Sequence, residues 1–492
     1  MTYRQFHQVP TPEESEKEQP TTLAWLAIGA LILFTLACYV AGAGGILRQV
    51  FPAGSFLVGV FLYVRYPVLY IGYTWWIWFL IALIRRLIDF RSGWVEPSPI
   101  LLAPFLVTLI TAATFFRYLP KASRIGGLPF VMAIFAVLYA FLIGMVNFQP
   151  VVVIRTMLDW ITPLFFGFHI LVNWRYYPQY RKNMETVFVW SVLLTGVYGV
   201  VQYLIAPEWD RYWLTQTKLT SFGEPAPLSI RVWSTMHSPG PFAVTMMAGL
   251  LLLFSSKNPF RIPASVAGYL AFLLSMARGA WGGWVVGLLS LLTNLKPKLQ
   301  MRLILTILIM AVCVVPLATI EPFGSMLSER FGSISNLEKD QSYQDRSANY
   351  DRNMGIALSN VLGNGIGGTW VIDKDGKLIQ IVLDSGILDT FFALGWFGAL
   401  PYLGGLLLLL YDVYQGSEAR SDPFANAARS ISLAIVFQLI FSSLMISLGG
   451  IVLWGFLGVA MAAKKYHQHQ RLSAGIINGY PLPTQKLPLT ES

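Results

Sequence analysis

Charge is what this chain has least of. Asp, Glu, Lys and Arg make up 12% of its residues, about half the roughly 25% usual in soluble domains. So few charges cannot solvate the surface of a water-soluble protein of 492 residues. Cysteine is nearly absent too. Cys38 and Cys313 both lie inside apolar runs, which excludes a disulfide framework or a cysteine metal centre and leaves two small core residues. No acidic cluster is read as a metal site, and no Gly-Lys-Ser/Thr follows the glycine-rich stretch, so there is no phosphate-binding loop of the nucleotide kind. No basic, aromatic-interleaved motif points to nucleic acid.

What is present is apolar: 55% of the chain is hydrophobic and the mean hydropathy is +0.57. Repeated apolar runs of about 18–22 residues match a helix across a bilayer. The fold class expected is an all-α polytopic membrane protein; a β-barrel would show short alternating segments. Candidate spans are 23–40, 52–64, 68–84, 99–116, 128–145, 151–172, 187–206, 241–254, 263–275, 280–292, 302–320, 388–411, 431–447 and 451–463. Several are short enough to be re-entrant or merged, so about twelve to fourteen helices are expected. The expected organisation is a disordered cytoplasmic tail (1–21), one membrane domain (22–463) and a second cytoplasmic tail (464–492).

The formal charge of +10 is read as topology rather than as a partner, because Lys and Arg mark cytoplasmic loops. With the two long polar loops, 207–240 and 321–385, placed outside, the inner loops carry Arg117, Lys121, Arg124, Arg175, Arg181, Lys182, Lys257, Arg261, Lys296, Lys298, Arg302, Arg420, Arg429, Lys464 and Lys465. Arg85, Arg86 and Arg91 then fall outside, against the rule. Either 52–64 does not span, or this loop is an exception. Chemistry in the outer loops would work without cytosolic nucleotides, on a donor already in the membrane.

Four places carry polar chemistry. Arg231 and His237 stand just before a helix opened by Pro241, where exposed amides favour an anion; the plain alternative is a loop anchored at the interface. Arg278 interrupts an apolar run, where arginine is costly and functional by default; the plain alternative is a side chain snorkelling at a turn. Arg346 precedes Gly363, Gly365 and Gly367, glycines suited to a helix stop and to close backbone approach to a ligand. Asp384 stands at the mouth of the next helix, as a functional carboxylate or as a helix cap; Asp389 lies deeper. Arginine forks match phosphate oxygens, and a carboxylate beside them can take a proton from an attacking hydroxyl. Nearby arginines make Asp384 a weak base, and His237 is the alternative.

The order Arg231-Val232-Trp233, His237-Ser238-Pro239-Gly240-Pro241-Phe242-Ala243, Ser275-Met276-Ala277-Arg278-Gly279-Ala280, Arg346, Gly363-Asn364-Gly365-Ile366-Gly367 and Asp384-Ser385-Gly386-Ile387-Leu388 resembles the O-antigen ligase and polysaccharide polymerase superfamily of bacterial inner membranes. The resemblance covers about 186–458. It implies an inverting, metal-independent glycosyltransferase with no cofactor, whose donor is an undecaprenyl-pyrophosphate-linked oligosaccharide. It places Arg231, Arg278 and Arg346 on the pyrophosphate. Ligases of the family carry a histidine where this chain has Asp384, which moves the expectation to a polymerase of exopolysaccharide, capsule or O-antigen. Expected partners are that lipid-linked donor, membrane lipid, and a chain-length regulator or export complex. The alternatives are a ligase that moves finished glycan onto lipid A core or protein, and a secondary solute transporter.

Overall fold

The computed structural model describes residues 21–293, 354–372 apart from 356, 378–380, 383–416 and 421–477, with isolated positions between 297 and 324. The helices are α1 Thr22–Val40, α2 Gly44–Arg65, α3 Pro67–Ser92, α4 Ala103–Leu109, α5 Ala112–Tyr118, α6 Leu128–Asn147, α7 Pro150–Val172, α8 Tyr177–Ile205, α9 Glu208–Thr217, α10 Pro239–Leu253, α11 Arg261–Leu274, α12 Arg278–Leu292, α13 Gly386–Tyr414, α14 Pro423–Gln438 and α15 Ser447–Ile477. A small antiparallel hairpin, β1 Trp370–Ile372 and β2 Leu378–Gln380, sets Val371 opposite Ile379. The protein is an all-α, multi-pass membrane protein. Among the described residues, nine helical stretches are long and apolar enough to cross a bilayer, α4 and α5 forming one of them with their flanking turns.

Local sequence sets the ends of these helices. Proline opens the first turn of α3, α7, α10 and α14, where its missing N–H is no loss. Asp422 caps α14 by accepting from the amides of Phe424 and Ala425, and burial, opposed by the Tyr177 hydroxyl, His467 and Arg181, leaves its carboxyl below its usual range. The apolar faces left outside, such as Leu33 on α1 and Val146 on α6, suit lipid.

Several helices are shorter than a bilayer. α10, α11, α12 and α14 have 15, 14, 15 and 16 residues. At 1.5 Å per residue they run about 21–24 Å, against roughly 30 Å of hydrocarbon. α10 is nonetheless central, packed by α8, α11, α12, α14 and α15, and nearly every one of its side chains is buried.

The structure bears on two expectations. The run 52–64 is part of α2, a 22-residue helix with Pro52 inside it, long and apolar enough to cross a bilayer. Two of the three arginines that broke the charge rule are paired: Arg85 Nε lies 3.1 Å from the Asp89 carboxylate, which Arg48 Nη2 also approaches at 2.8 Å, and Arg86 Nε lies 3.2 Å from Asp210, whereas Arg91 is exposed and donates to Val40 O. Paired, buried guanidinium groups do not count as free loop charge. The expected tail from 464 begins as helix. α15 continues to Ile477, with Lys464 donating to the Asp412 carbonyl, Lys465 to that of Ile125, and His467 3.0 Å from Asp422. Residues 1–20, most of 302–320 and 478–492 lie outside the described residues.

α15 packs chiefly on α7, and backbone touches backbone there. A Cβ on Gly458 would sit 2.4 Å from the Gly167 carbonyl oxygen, and one on Gly167 2.4 Å from that of Trp454. Small residues permit such close helix contact in membranes. Gly458→Val is expected to lower stability by about 1–3 kcal/mol or more, read as a lower thermal midpoint and a loss of monodisperse protein in detergent. Gly404→Val, which meets nothing within 4 Å, is the control that should behave as wild type.

Candidate functional site

At the end of the bundle that carries the 206–238 loop, the exposure of His237 and Gly240 at the amino end of the otherwise buried α10 marks a recess. The strap 231–237 descends into it. Val232 N donates to Leu274 O at 3.0 Å, and Ser234 Oγ to Thr195 O at 2.6 Å. Thr195 lies about 15 Å down α8 from its end at Ile205, at 1.5 Å per residue. α10 begins at this depth. His237 and Gly240 beside it are exposed although α10 is central, and a Cβ on Gly240 would meet nothing within 4 Å.

Other helix ends share this floor. Arg231 reaches the start of α12 from above: its Nη2 lies 3.4 Å from both the Ser275 and the Met276 carbonyl oxygens, and its Nη1 donates to Ser221 O at 2.9 Å. Arg278, half-buried, opens α12. A Cβ on the next residue, Gly279, would lie 3.9 Å from Ser442 Oγ. The amide of Gly386, which opens α13, donates to Leu439 O at 2.8 Å and to Ser442 O at 3.1 Å. Asp384, half-buried with φ of +51°, precedes it, and Ser385, not Asp384, caps the helix. Arg231 thus bonds the turn before Arg278, Ser442 lies beside the amino ends of both α12 and α13, and His237 and Asp384 precede α10 and α13 in the chain. Helix amino ends favour anions, although at α13 the amides of Gly386 and Leu388 are already bonded within the protein. Arg346 lies outside the described residues.

Gly363, Gly365 and Gly367 do permit close backbone approach, and the partner of Gly363 and Gly365 is protein. α13 breaks at Gly395 (φ 61°, ψ −173°). The 361–366 segment fills the break: Asn364 N donates to Phe392 O, Gly365 N to Ala393 O, and Trp396 N to Val361 O, at 2.9–3.0 Å. Ile366 N donates to Ala140 O of α6 at 3.0 Å. A Cβ on Gly365 would stand 2.4 Å from Gly144 N, and one on Gly363 2.3 Å from Gly395 N. Gly363 and Gly365 are thus a wedge between α6 and α13.

The structure adds groups that the sequence reading did not single out. Arg155 and Asp159 lie four apart on α7; Ser447, at the start of α15, donates to Asp159. Ser443 donates to Asp389, which is thereby drawn into the same turn between α14 and α15. A signal for the α7 pair was there, since an arginine and an aspartate inside one apolar run mark function by default. Arg86 and Asp210 carried no such signal as a pair, because their partnership crosses the fold.

His237 is held neutral. The protein mass around the recess opposes its protonation first, and the Arg85, Arg86 and Arg155 guanidinium groups push the same way. Its surface is open to water, so enclosure counts for less than it would in a closed core, but every contribution has the same sign. Asp373 and Asp375 stand one residue apart in the chain, outside the described residues. Among the described residues no group of three or more His, Cys, Asp or Glu is placed to hold a metal ion.

No protein-family model matches the chain, and no curated protein matches it.

The lowered pKa of His237 has a checkable consequence. An unfolded histidine takes a proton below about pH 6.5; the folded His237 refuses it, so this group lowers stability as pH falls below that value. Carbethoxylation of His237, followed by peptide mass spectrometry, is expected to run at a nearly constant rate from about pH 7.5 down to about pH 5, whereas a free imidazole slows as it protonates. A rate that falls along the free-imidazole curve would show that the recess does not hold His237 neutral.

Proposed function

We propose that this protein is a glycosyltransferase that extends polysaccharide from a lipid-linked, pyrophosphate-activated oligosaccharide. The observation that supports the reading is that Arg231 bonds the Ser275 and Met276 carbonyls, just before Arg278 at the amino end of α12, while His237 stands exposed at the amino end of α10. A deep, water-reached floor of guanidinium groups and amides suits a membrane-anchored phosphate anion, whose head must dip from the lipid surface. It does not suit a neutral solute.

The chemistry is a single displacement. The acceptor hydroxyl oxygen bonds to the anomeric carbon with inversion as the bond from that carbon to the pyrophosphate oxygen breaks. Arg231 and Arg278, with Arg346 from the following loop, neutralise the leaving pyrophosphate. The proton of the hydroxyl passes to Asp384 or to neutral His237. His237 is a weak base in this setting. A glycosyl transition state with oxocarbenium character makes the attacking hydroxyl acidic only as the new bond forms, so late transfer to a weak base is sufficient. Undecaprenyl pyrophosphate is the donor lipid this reading names. Polymerase is preferred to ligase because a carboxylate, Asp384, stands at the head of α13.

The broken helix α13 favours a rival, since transporters use unwound helices to bind ions and solutes near the membrane centre. Here the amide and carbonyl groups freed at the break are taken by 361–365, which leaves that position poorly suited to a ligand.

Purified protein in liposomes, given lipid-linked oligosaccharide, is expected to release undecaprenyl pyrophosphate and lengthen the glycan. Arg278→Ala should slow this by about 100-fold or more, the usual cost of one lost anion-stabilising donor, with protein level unchanged. Solute uptake without glycan growth would overturn the reading. Glycan found on lipid A core or protein instead of on a longer polymer would change polymerase to ligase.

A further inference from the structure

The strap that presents His237 is built into the α3 ladder. Thr235 Oγ1 donates to Phe79 O at 2.6 Å, and Leu83 N donates to Thr235 O at 3.0 Å. Phe79 O and Leu83 N are the carbonyl and amide that helix geometry pairs with each other. One threonine thus bonds both members of a helical pair, in a position that is 4% exposed. The other side of the strap is equally held. The amides of Trp233 and Ser234 both donate to Gln202 Oε1, at 3.0 and 2.8 Å, while Gln202 Nε2 donates to Asp210 at 2.8 Å. Arg86 pairs with that same Asp210 and donates to Ser234 O. Ser234 takes φ of +51° within this clamp, a left-handed conformation that non-glycine residues adopt only when their surroundings require it. The next turns of chain are Met236, buried, and then His237, exposed in the recess.

We propose that Thr235 is a positioning residue: its hydroxyl and carbonyl, bonded one helical turn apart on α3, fix where His237 stands over the amino end of α10. Gln202 and Arg86 hold the strap in depth. Thr235 sets its height along α3, because it alone bonds that helix at two successive levels. Its reach to the substrate is only through His237. The proposal rests on the recess being the reactive site, but its first test does not require any glycan.

The test compares Thr235→Val, Thr235→Ala and Thr235→Ser in the full-length protein, with folding checked by thermal midpoint. Removing the hydroxyl is expected to change the rate of His237 carbethoxylation by about fivefold, the weight of one buried hydrogen bond. Thr235→Ser, which keeps both bonds, should stay within about twofold of wild type. A folded Val or Ala variant with the wild-type rate would overturn the proposal, and so would a folded Ser variant with an altered one. In the liposome assay, Thr235→Ala is expected to lower kcat by about tenfold with KM for the lipid-linked donor little changed, and Thr235→Ser to restore kcat. A fall confined to KM would place Thr235 in donor binding and overturn it. If wild-type protein lengthens no glycan, the glycosyltransferase reading fails, while the His237 rates still decide the role of Thr235.

Discussion

In hydrocarbon every backbone amide and carbonyl must find its partner inside the protein, and the layout of this bundle follows from that constraint. A helix too short for the membrane ends among groups that water cannot reach from the lipid side. α10, α11, α12 and α14 are such helices. Their ends are tolerated because longer neighbours surround them and polar chain comes down to meet them. The 231–237 strap bonds Leu274 O, Thr195 O, Phe79 O and Leu83 N. The 439–442 turn accepts from the amide of Gly386. The recess is thus lined by the very segments that make short helices possible.

The same constraint explains the wedge at α13. The break at Gly395 disrupts the helical ladder in the middle of a candidate span, and 361–365 takes up the groups it frees. Only glycine fits at Gly363 and Gly365, where a Cβ would collide with the backbone of α13 and α6. Charge obeys a parallel rule. Buried guanidinium groups are costly unless paired, and Arg48, Arg85 and Arg86 each lie against a carboxylate. Losing Asp210 would strip Arg86 of its partner and Gln202 of an acceptor at once, so ion pair, strap and recess stand or fall together.

Much of the scaffold was legible in the sequence. Apolar runs located the helices, because lipid imposes one simple demand along the whole of a span. Helix lengths at the recess were legible as well, but 241–254, 263–275 and 280–292 read equally as re-entrant pieces, since shortness alone does not say whether neighbours enclose an end. Arg231, His237, Arg278 and Asp384 were visible as polar residues at apolar boundaries. The function of Gly363 and Gly365 was half legible: glycine announces close approach, not what approaches. Thr235 and Gln202 were invisible, because nothing local distinguishes a threonine that bonds a distant helix from one that faces water. The end of α15 was misplaced for a related reason, since Lys464, Lys465 and His467 read as a solvated tail until their partners Asp412, Ile125 and Asp422 are brought beside them.

Electrostatics links the scaffold to the chemistry. Burial first, and then the Arg85, Arg86 and Arg155 guanidinium groups, oppose protonation of His237. Positive charge that disfavours an imidazolium favours an anion, so a weak base and an anion site accompany each other. A reaction suited to such a floor needs little help in removing a proton and much help in releasing negative charge. Glycosyl transfer from a pyrophosphate has that balance, because its leaving group carries the charge and its nucleophile sheds its proton last.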